Sequence, residues 1–385
     1  MSKKILICII IVIFATVSLF VFIGWMDSIS HKSHEIPCEG GYITFEYPPV
    51  DLDKIEFICP LGGMHGDHIT PTDHQYYHNN SLVKVNDSSP SIKAYSPADG
   101  IITKISHKGG TNDDGSEAVE DYQIYIQHTC TIYSTYIHLD NLSDRLMDYS
   151  PPPGEYAWPN VEVSAGEVIG NFWESIDYSV ADMDVNLPFV VPEHYESNIY
   201  VTHISNPFDY FNSEIKNKMI SKCLRKTEPY GGKICYDIKG KLVGTWFLED
   251  TNYYAGLEDM NYCSGHLVFA YDWIDPSFTR ISIGPGMDLG GQWGIRNNSI
   301  DPADISLESG IIKIELVGYH YKDFWEPWDA LKINHNVTYV NKNENPVGVL
   351  LCEIIDDYTL KMEIFKDKTV DEVEEFTDNY LIFKR

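Results

Sequence analysis

Short stretches in which apolar and polar residues alternate dominate the middle of the chain. They include Gly100–Ile105, Tyr122–Gln127, Thr131–Ile137 and Val161–Gly170, and Gly, Pro, Asn or Asp residues separate them. Successive side chains of a strand point to opposite faces, so this alternation is typical of strands with one buried face. Residues 59–212 are therefore predicted to form a β-sandwich-like domain.

A second strand-rich region follows a Lys-containing stretch over 213–229, which is predicted to be a linker with a short helix. Glycines punctuate this region and aromatic residues lie inside its apolar stretches, as in small barrels and sandwiches. Residues 230–385 are thus expected to form a second β-barrel or β-sandwich domain. Its expected strands are Leu242–Leu248, Leu267–Trp273, Thr279–Ile283, Gly310–Tyr319, Val347–Ile355 and Thr359–Phe365.

An uncharged run, Ile5–Met26, follows two lysines near the start of the chain. As a helix the run would be about 33 Å long at ~1.5 Å per residue, enough to cross the hydrocarbon core of a bilayer. The lysines predict an N-terminus inside and a membrane anchor within residues 1–30. A signal peptide cleaved after Ser28 or Ser30 is the alternative. Both interpretations place residues 31–385 outside the cytoplasm, anchored in one case and secreted in the other.

Composition narrows the classes of function. Apolar residues make up 43% of the chain and aromatic residues 13%, which argues for a packed core and against disorder. The formal net charge of −29 would repel nucleic-acid phosphates and anionic lipid headgroups, so no nucleic-acid partner is expected. The alternative is that this charge only keeps the protein soluble. All of the eight cysteines except Cys8 lie beyond the apolar run, so at least one is free or pairs with another chain.

The predicted fold class is mainly β. An N-terminal transmembrane helix and a polar juxtamembrane segment over 31–58 precede the two β domains. The chain contains no P-loop, no dinucleotide-binding fingerprint and no G-x-S-x-G motif, so those enzyme classes have no support.

Three segments of the middle domain carry a resemblance to a known family. The segment Tyr95–Ile102, Y-S-P-A-D-G-I-I, is similar to the pattern V-x-A-P-A-D-G-x-V. Tyr122–Leu139 ends in T-Y-I-H-L, similar to T-x-Y-x-H-L. Val163–Gly170, V-S-A-G-E-V-I-G, is similar to V-x-A-G-Q-x-I-G. In this order, residues 59–212 resemble the lysostaphin-type zinc endopeptidases of the duplicated-hybrid-motif fold.

The resemblance implies metal-assisted hydrolysis of peptide bonds. In that family a zinc ion held by two His and one Asp polarises the scissile carbonyl and acidifies a water molecule. Two further His residues orient the water and stabilise the oxyanion. The ligands come from an H-x3-D motif and from the second His of an H-x-H motif. One divalent metal, zinc by resemblance, is therefore the expected cofactor.

Two motif positions supply candidate catalytic residues. His138 matches the accessory His of the Y-x-H-L pattern, and the alternative is a structural His packed beside Tyr136. The H-x-H position is predicted to fall on Asp182 and Asp184, the first as a catalytic and the second as a metal-binding candidate. Positions i and i+2 of a strand share a face, so both carboxylates are expected to face one groove with His138. The alternative is a solvated strand face.

The H-x3-D motif is also altered. His68, Asp73 and His74 are the candidate metal ligands, but four residues separate His68 from Asp73, and His74 is the alternative at the Asp position. The simpler interpretation is a polar loop in which Asp73 caps a turn. Carboxylates in place of imidazoles would shift the preference toward Ca²⁺, Mg²⁺ or Mn²⁺, or would abolish metal binding.

Three hypotheses of function follow. The leading one is a non-catalytic, membrane-anchored relative that binds a peptide, a cell-wall or glycan component, or a protein partner in the groove. The second is an active metalloendopeptidase with rearranged ligands, and the third is a small-ligand-binding protein that uses the C-terminal barrel. Carboxylates at positions 182 and 184 would make a metal-bound water less acidic and would repel an oxyanion. Hydrolysis by the family's zinc mechanism is therefore not expected.

Overall fold

Two groups of antiparallel strands follow one another along the chain, with helical segments between them. The computed structural model describes residues 40–79, 91–109, 120–257, 261–323, 326–327, 337–342 and 345–385. Within it, residues 40–385 form one unit.

The first group forms a nine-stranded and a three-stranded sheet. The large sheet has the order β1-β2-β11-β6-β5-β4-β8, with β12 paired to β11 and β9 paired to β4, and the small sheet has the order β3-β10-β7. The strands are β1 (Ile55–Cys59), β2 (Gln75–Asn79), β3 (Ile92–Tyr95), β4 (Gly100–His107), β5 (Tyr122–Gln127), β6 (Ile132–Leu139), β7 (Asn141–Leu142), β8 (Tyr156–Ala157), β9 (Val161–Val163), β10 (Val168–Phe172), β11 (Ser175–Asp182) and β12 (Ile204–Ser205), and α1 (Asp144–Met147) follows β7.

One apolar core lies between these two sheets. It contains Ile124 of β5, Tyr136 of β6 and Tyr178 of β11 from the large sheet, and Ala94 of β3 and Phe172 of β10 from the small one. Burying one large apolar side chain contributes roughly 1.5–3 kcal/mol, so this core fixes which face of each strand points inward. The other face of the large sheet is left for polar side chains.

Helical segments connect the two groups of strands. The 3₁₀ helices Pro192–His203 and Pro207–Tyr210 are followed by α2 (Ser213–Lys222). The side chain of Asn212 accepts a hydrogen bond from the main-chain N–H of Ile215 at 3.1 Å and so caps the first turn of α2. Met219 is the buried residue of α2 and packs into the core of the first group.

The second group closes into an eight-stranded barrel. Its strands are β13 (Gly244–Leu248), β14 (His266–Tyr271), β15 (Thr279–Ile283), β16 (Gly291–Ile295), β17 (Ile312–Val317), β21 (Gly348–Asp356), β22 (Thr359–Lys366) and β23 (Leu381–Lys384), in that order around the barrel. A small sheet, β19 (Glu326–Pro327), β18 (Tyr319–Asp323) and β20 (Val337–Asn341), and the 3₁₀ turns Tyr253–Ala255, Tyr262–Gly265, Arg296–Asn298, Leu307–Ser309 and Val370–Glu372 complete the region.

Side chains fill the inside of the barrel. Trp246, Phe269 and Phe383 are fully buried there, together with aliphatic residues of the other strands. A recess lies beside the barrel, lined in part by Tyr253 and Tyr262. The hypothesis that the barrel encloses a small ligand therefore stays a prediction that would require these core side chains to move.

The two groups of strands share apolar clusters. Phe247 of the barrel packs with Leu61 and Ala181 of the first group, and Trp273 packs with Phe57. Such shared clusters bury apolar surface from both groups at once, which makes separation of the groups costly. The contact at Leu61 is the most important one for the site, because the chain that follows Leu61 continues along the polar face of the large sheet.

The predicted fold class requires one correction. Across the described ranges, which begin at residue 40, no helix is long and apolar enough to cross a membrane. The run Ile5–Met26 lies outside the described residues. The strand-rich regions and the closed barrel agree with the prediction, but no described helix supports the N-terminal transmembrane helix.

The described cysteines fall into two kinds. Cys130 is disulfide-bonded. The free cysteines are Cys59, Cys223, Cys235, Cys263 and Cys352, and all of them are buried. These free thiols agree with the prediction that at least one cysteine is free or pairs with another chain.

His266 gives the fold a built-in sensitivity to acid. Its side chain is buried in β14, and Nε2 donates a hydrogen bond to the carbonyl of Tyr253 at 3.1 Å. Nδ1 has no hydrogen-bond partner in the described part of the chain. Burial lowers the pKa of His266 to about 4. Between pH 6.5 and 4 the unfolded chain binds a proton that the folded chain does not, so stability falls as the pH falls.

We expect His266→Gln to reduce the acid sensitivity, because an amide also donates to the Tyr253 carbonyl but does not titrate. One proton corresponds to about 1.4 kcal/mol per pH unit, so the loss of unfolding free energy between pH 7 and pH 5 should shrink by about 2 kcal/mol. Urea unfolding at the two pH values measures this. An identical loss in the variant and the natural protein would contradict the prediction.

Candidate functional site

An aspartate in the middle of a buried strand forms the floor of the site. In β11 the side chains of Ile176 and Tyr178 point into the core between the sheets. Asp177 lies between them in sequence, so it points to the opposite face of the large sheet. It is nevertheless only 4% exposed. A buried carboxylate is costly unless other groups compensate it, which marks this position for a specific role.

His74 approaches Asp177 from one side. It ends a turn-rich segment, residues 62–74, which we call the site loop, and β2 begins at the next residue. Its Nδ1 donates to Asp73 Oδ1 at 2.7 Å, and its Nε2 lies 3.3 Å from Asp177 Oδ2. The hydroxyl of Tyr76 lies 3.1 Å from the same Nε2. One nitrogen of the ring is thus anchored, and the other faces Asp177.

His138 approaches Asp177 from the neighbouring strand. Near the end of β6, its Nδ1 donates to Asp121 Oδ2 at 3.0 Å, and its Nε2 lies 3.4 Å from Asp177 Oδ2. The main chain of His138 has φ of 71°, a left-handed conformation that is rare for a residue with a side chain. Such backbone strain is often found at functional sites. The imidazole is about half exposed, so this side of the site opens to solvent.

These contacts set the charges of the site. Burial raises the pKa of Asp177, against the opposing effect of His74 and His138. Burial alone would lower the pKa of His74, but the hydrogen bond to Asp73 and the charge of Asp177 outweigh it, and the pKa is raised. The hydrogen bond to Asp121 raises the pKa of His138, and Asp177 adds to this effect. Both imidazoles are therefore more basic than usual because of the carboxylates around them.

Two more histidines lie along the site loop. The ring centroid of His68 is 5.6 Å from that of His74 and 5.5 Å from that of His65. Burial lowers the pKa of His65 to about 4 and also lowers the pKa of His68. These two rings are thus neutral near pH 7, and they form a wall beside His74 rather than a second charged centre.

The structure brings some of the predicted site residues together. His74 and His138 meet at Asp177, Asp73 supports His74, and His68 lies next to it. Of the predicted metal ligands, His74 faces Asp177 through Nε2, and Asp73 is hydrogen-bonded to Nδ1 on the other side of the same ring.

The placement of Asp182 and Asp184 was predicted wrongly. Asp177 pairs with Ile137, the neighbour of His138, whereas Asp182 pairs with Ile132 at the other end of β6. Five strand residues correspond to about 17 Å. Asp182 accepts a hydrogen bond from the hydroxyl of Tyr210 at 2.7 Å, and Asp184 accepts one from Thr131 at 3.2 Å. Neither carboxylate shares the groove of His138.

Sequence reasoning missed Asp177, Asp121 and Tyr76. Asp182 and Asp184 have the spacing of the H-x-H motif, so the motif was assigned to the end of β11 and not to the position of Asp177. The signal for Asp177 was available: a lone acidic residue between Ile176 and Tyr178 interrupts an apolar strand, and buried acids are rare without a partner. Asp121 and Tyr76 carry no comparable signal, because only the fold brings them to the imidazoles.

The donor types at this site, although not their present placement, are those of a zinc site. Two imidazoles and one carboxylate are a ligand set of catalytic zinc sites, and each imidazole carries a carboxylate on its other nitrogen, as zinc-binding His residues usually do. The two His–Asp separations of 3.3 and 3.4 Å match the distance of about 3.3 Å between two ligands that each lie ~2.0–2.1 Å from a tetrahedral ion. Asp177 Oδ1 is buried and has no hydrogen-bond partner among the described residues.

The set is not closed around an ion as it stands. Among the described residues, no group of three or more His, Cys, Asp or Glu has an arrangement that would already hold a metal. Both His rings contact the same oxygen, Asp177 Oδ2, so binding one ion requires the carboxylate to turn and the imidazoles to move toward each other.

We expect Asp177→Asn to lower the pKa of both His74 and His138, because it removes the negative charge that both imidazoles face. NMR titration of the imidazole signals measures both values. Asp182→Asn is the matched control, since it neutralises a carboxylate at the far end of the same strand. Equal effects of the two substitutions would show that the imidazoles respond to overall charge and not to Asp177.

A comparison with known proteins gave no match to this chain. No protein-family model matches the chain, and no curated protein matches it. The resemblance to the lysostaphin-type endopeptidases therefore rests on the three segments around Tyr95–Ile102, Tyr122–Leu139 and Val163–Gly170, and it stays a prediction.

Proposed function

We propose that this protein is a metal-dependent hydrolase that cleaves amide bonds, with His74, His138 and Asp177 as its metal ligands. The observation that carries the proposal is that the imidazoles of His74 and His138 both face the carboxylate of Asp177 without a regular hydrogen bond to it. Charge-assisted N–H···O bonds are about 2.7–2.9 Å long, and both His–Asp separations are longer than this. The amide substrate is what the resemblance to the lysostaphin-type family implies.

Each neighbouring residue has a role in this proposal. Asp73 and Asp121 accept hydrogen bonds from the Nδ1 atoms, so they fix the tautomer and turn both Nε2 lone pairs toward the centre. The hydroxyl of Tyr76 lies beside His74 Nε2, where it can donate to an oxygen that gains negative charge. A zinc ion at this position would polarise the substrate carbonyl and make a bound water acidic.

The earlier reason against hydrolysis does not apply to this site. The expectation that a zinc mechanism fails depended on Asp182 and Asp184 facing the ion. Asp182 ends β11 and Asp184 lies in the turn beyond it, so a single carboxylate, Asp177, enters the donor set. Two imidazoles and one carboxylate leave a net positive charge on a divalent ion, which favours an acidic water.

A non-catalytic binding protein is the second candidate. It is favoured by the observation that no described set of three donors already surrounds one point. In that case Asp73, His74, Asp177, His138 and Asp121 form an alternating row of carboxylates and protonated imidazoles. Such a row binds a peptide, a cell-wall component or a protein partner through charge and hydrogen bonds, and it needs no metal.

Metal content and hydrolysis separate the two candidates. We expect the purified natural protein to bind about one zinc per chain and to cleave short cell-wall-type peptides when zinc is supplied. His138→Ala should reduce both zinc affinity and turnover by at least about 100-fold, because it removes a ligand. Asp182→Ala is the control on the same strand and should leave zinc binding and turnover nearly unchanged. Protein that neither takes up zinc nor cleaves peptides would refute the hydrolase and leave the binding protein.

The carboxylates behind the imidazoles give a finer test. We expect Asp121→Asn to weaken zinc binding by about 10–100-fold, because an amide no longer accepts the proton of His138 Nδ1 with a full negative charge. Competition with a metal-sensitive dye measures the affinity. Asp184→Asn removes the same charge far from the imidazoles and serves as the control. An equal loss in both variants would indicate a general effect of surface charge.

A further inference from the structure

The site loop lies against the barrel, and barrel side chains bind its main chain. Nη2 of Arg280, in β15, donates to the carbonyl of Met64 at 2.9 Å, and this contact is buried. Nε2 of Gln292, in β16, donates to the carbonyl of Gly66 at 3.2 Å. The loop that ends in His74 is thus held by residues that follow it by more than two hundred positions.

Arg280 is itself held rigidly. Its side chain is 2% exposed, and Nη1 donates to Asp272 Oδ2 at 2.9 Å. The hydroxyl of Tyr321 lies 3.0 Å from the same nitrogen, and the ring of Tyr319 stacks on the guanidinium at 3.6 Å. A planar guanidinium with two nitrogens in use has one orientation, so the Met64 carbonyl has a fixed partner.

Trp273, in the connection between β14 and β15, packs against the same part of the loop. The ring of Trp273 packs so near Gly63 that a Cβ at that position would lie 2.7 Å from the ring. Trp273 also packs on His65, with ring centroids 5.2 Å apart, and its Nε1 donates to the hydroxyl of Tyr321 at 2.8 Å. Apolar packing and hydrogen bonds therefore fix the same end of the site loop.

The two ends of the loop are coupled. The main-chain N–H of Gly62 donates to the carbonyl of Thr72 at 2.9 Å, and that of Thr72 donates to the carbonyl of Gly63 at 3.0 Å. The hydroxyl of Thr72 accepts from the N–H of Gly63 at 3.0 Å. Asp73 and His74 follow immediately, so the position of the loop at Gly63 sets the position of the imidazole.

We infer that Arg280 is a positioning residue, through which the barrel holds the site loop and places His74 beside Asp177. The inference rests on the proposed function for its effect on the metal, but the placement of the loop does not depend on it. The barrel then serves as the outer support of the site. Its contribution reaches His74 through the main chain and involves no contact with a substrate.

The test exchanges Arg280 for Lys in the full chain. A lysine keeps the charge next to Asp272, but a single ammonium does not span both Asp272 and the Met64 carbonyl as the guanidinium does. We expect hydrogen–deuterium exchange in residues 62–72 to become at least tenfold faster, while exchange in β21 and β22 stays unchanged. Zinc affinity should fall about tenfold. Arg296→Lys is the matched control, because Arg296 pairs with Glu315 at 3.0 Å in the same barrel, away from the loop.

Each outcome is decisive. Unchanged exchange in the loop, or equally faster exchange throughout the barrel, would overturn the inference, and so would a loosened loop with unchanged zinc affinity. If the natural protein takes up no zinc, the proposed hydrolase fails, and loop exchange alone decides about Arg280. If Arg280→Lys does not fold, Gln292→Ala replaces it, since it removes the contact to Gly66 without exposing a buried charge. Gln292→Ala should then show the same local acceleration.

Discussion

A carboxylate buried in the middle of a strand needs compensating charge, and this requirement organises the site. Asp177 faces away from the core and is nevertheless buried. Two imidazoles from distant parts of the chain face it, and each is bound on its far side by another carboxylate. Removing one member of such a buried set leaves a charge without compensation, so the members depend on one another.

A second buried ion pair supports the first from outside. Arg280 and Asp272 lie inside the contact between barrel and site loop, and Arg280 reaches the loop carbonyl at Met64. Buried ion pairs contribute little to stability by themselves because desolvation offsets the attraction. They do impose one geometry, since both partners must keep their hydrogen bonds. The barrel therefore contributes orientation to the site more than it contributes free energy.

The two candidate functions differ in what balances the charge of Asp177. In the binding protein, protons on His74 and His138 supply the positive charge, in agreement with the raised pKa of each imidazole. In the hydrolase, a divalent cation takes their place and the imidazoles become neutral ligands. The same carboxylates behind the rings, Asp73 and Asp121, serve both cases, because they orient the Nδ1 proton in either state. The same residues thus form the site in both cases, and only the source of the positive charge differs: protons in one case and a metal ion in the other.

Local pattern was sufficient for the broad fold. Apolar patterning predicted β5, β6, β21 and β22 to within a few residues. β5, β6 and β22 each have one apolar face that the core requires, and β21 is apolar on both faces. β16, which contains two glycines and a glutamine, and β23 at the end of the chain were not predicted. Their place in the barrel is decided by the need to close the sheet, and a local pattern carries no such requirement.

The same distinction between local pattern and tertiary structure applies to the site. The sequence by itself singled out His74 and His138 as candidate site residues, since both stand in recognisable local patterns. It did not identify their partner. Asp182 and Asp184 have the i, i+2 spacing of the H-x-H motif, whereas Asp177 has no acidic residue or histidine two positions away. Only the register of β11 against β6 places Asp177 beside Ile137 and moves the other two carboxylates to the far end. Register is set by the whole buried face of a strand and by pairing across the sheet, so it is a property of the tertiary structure.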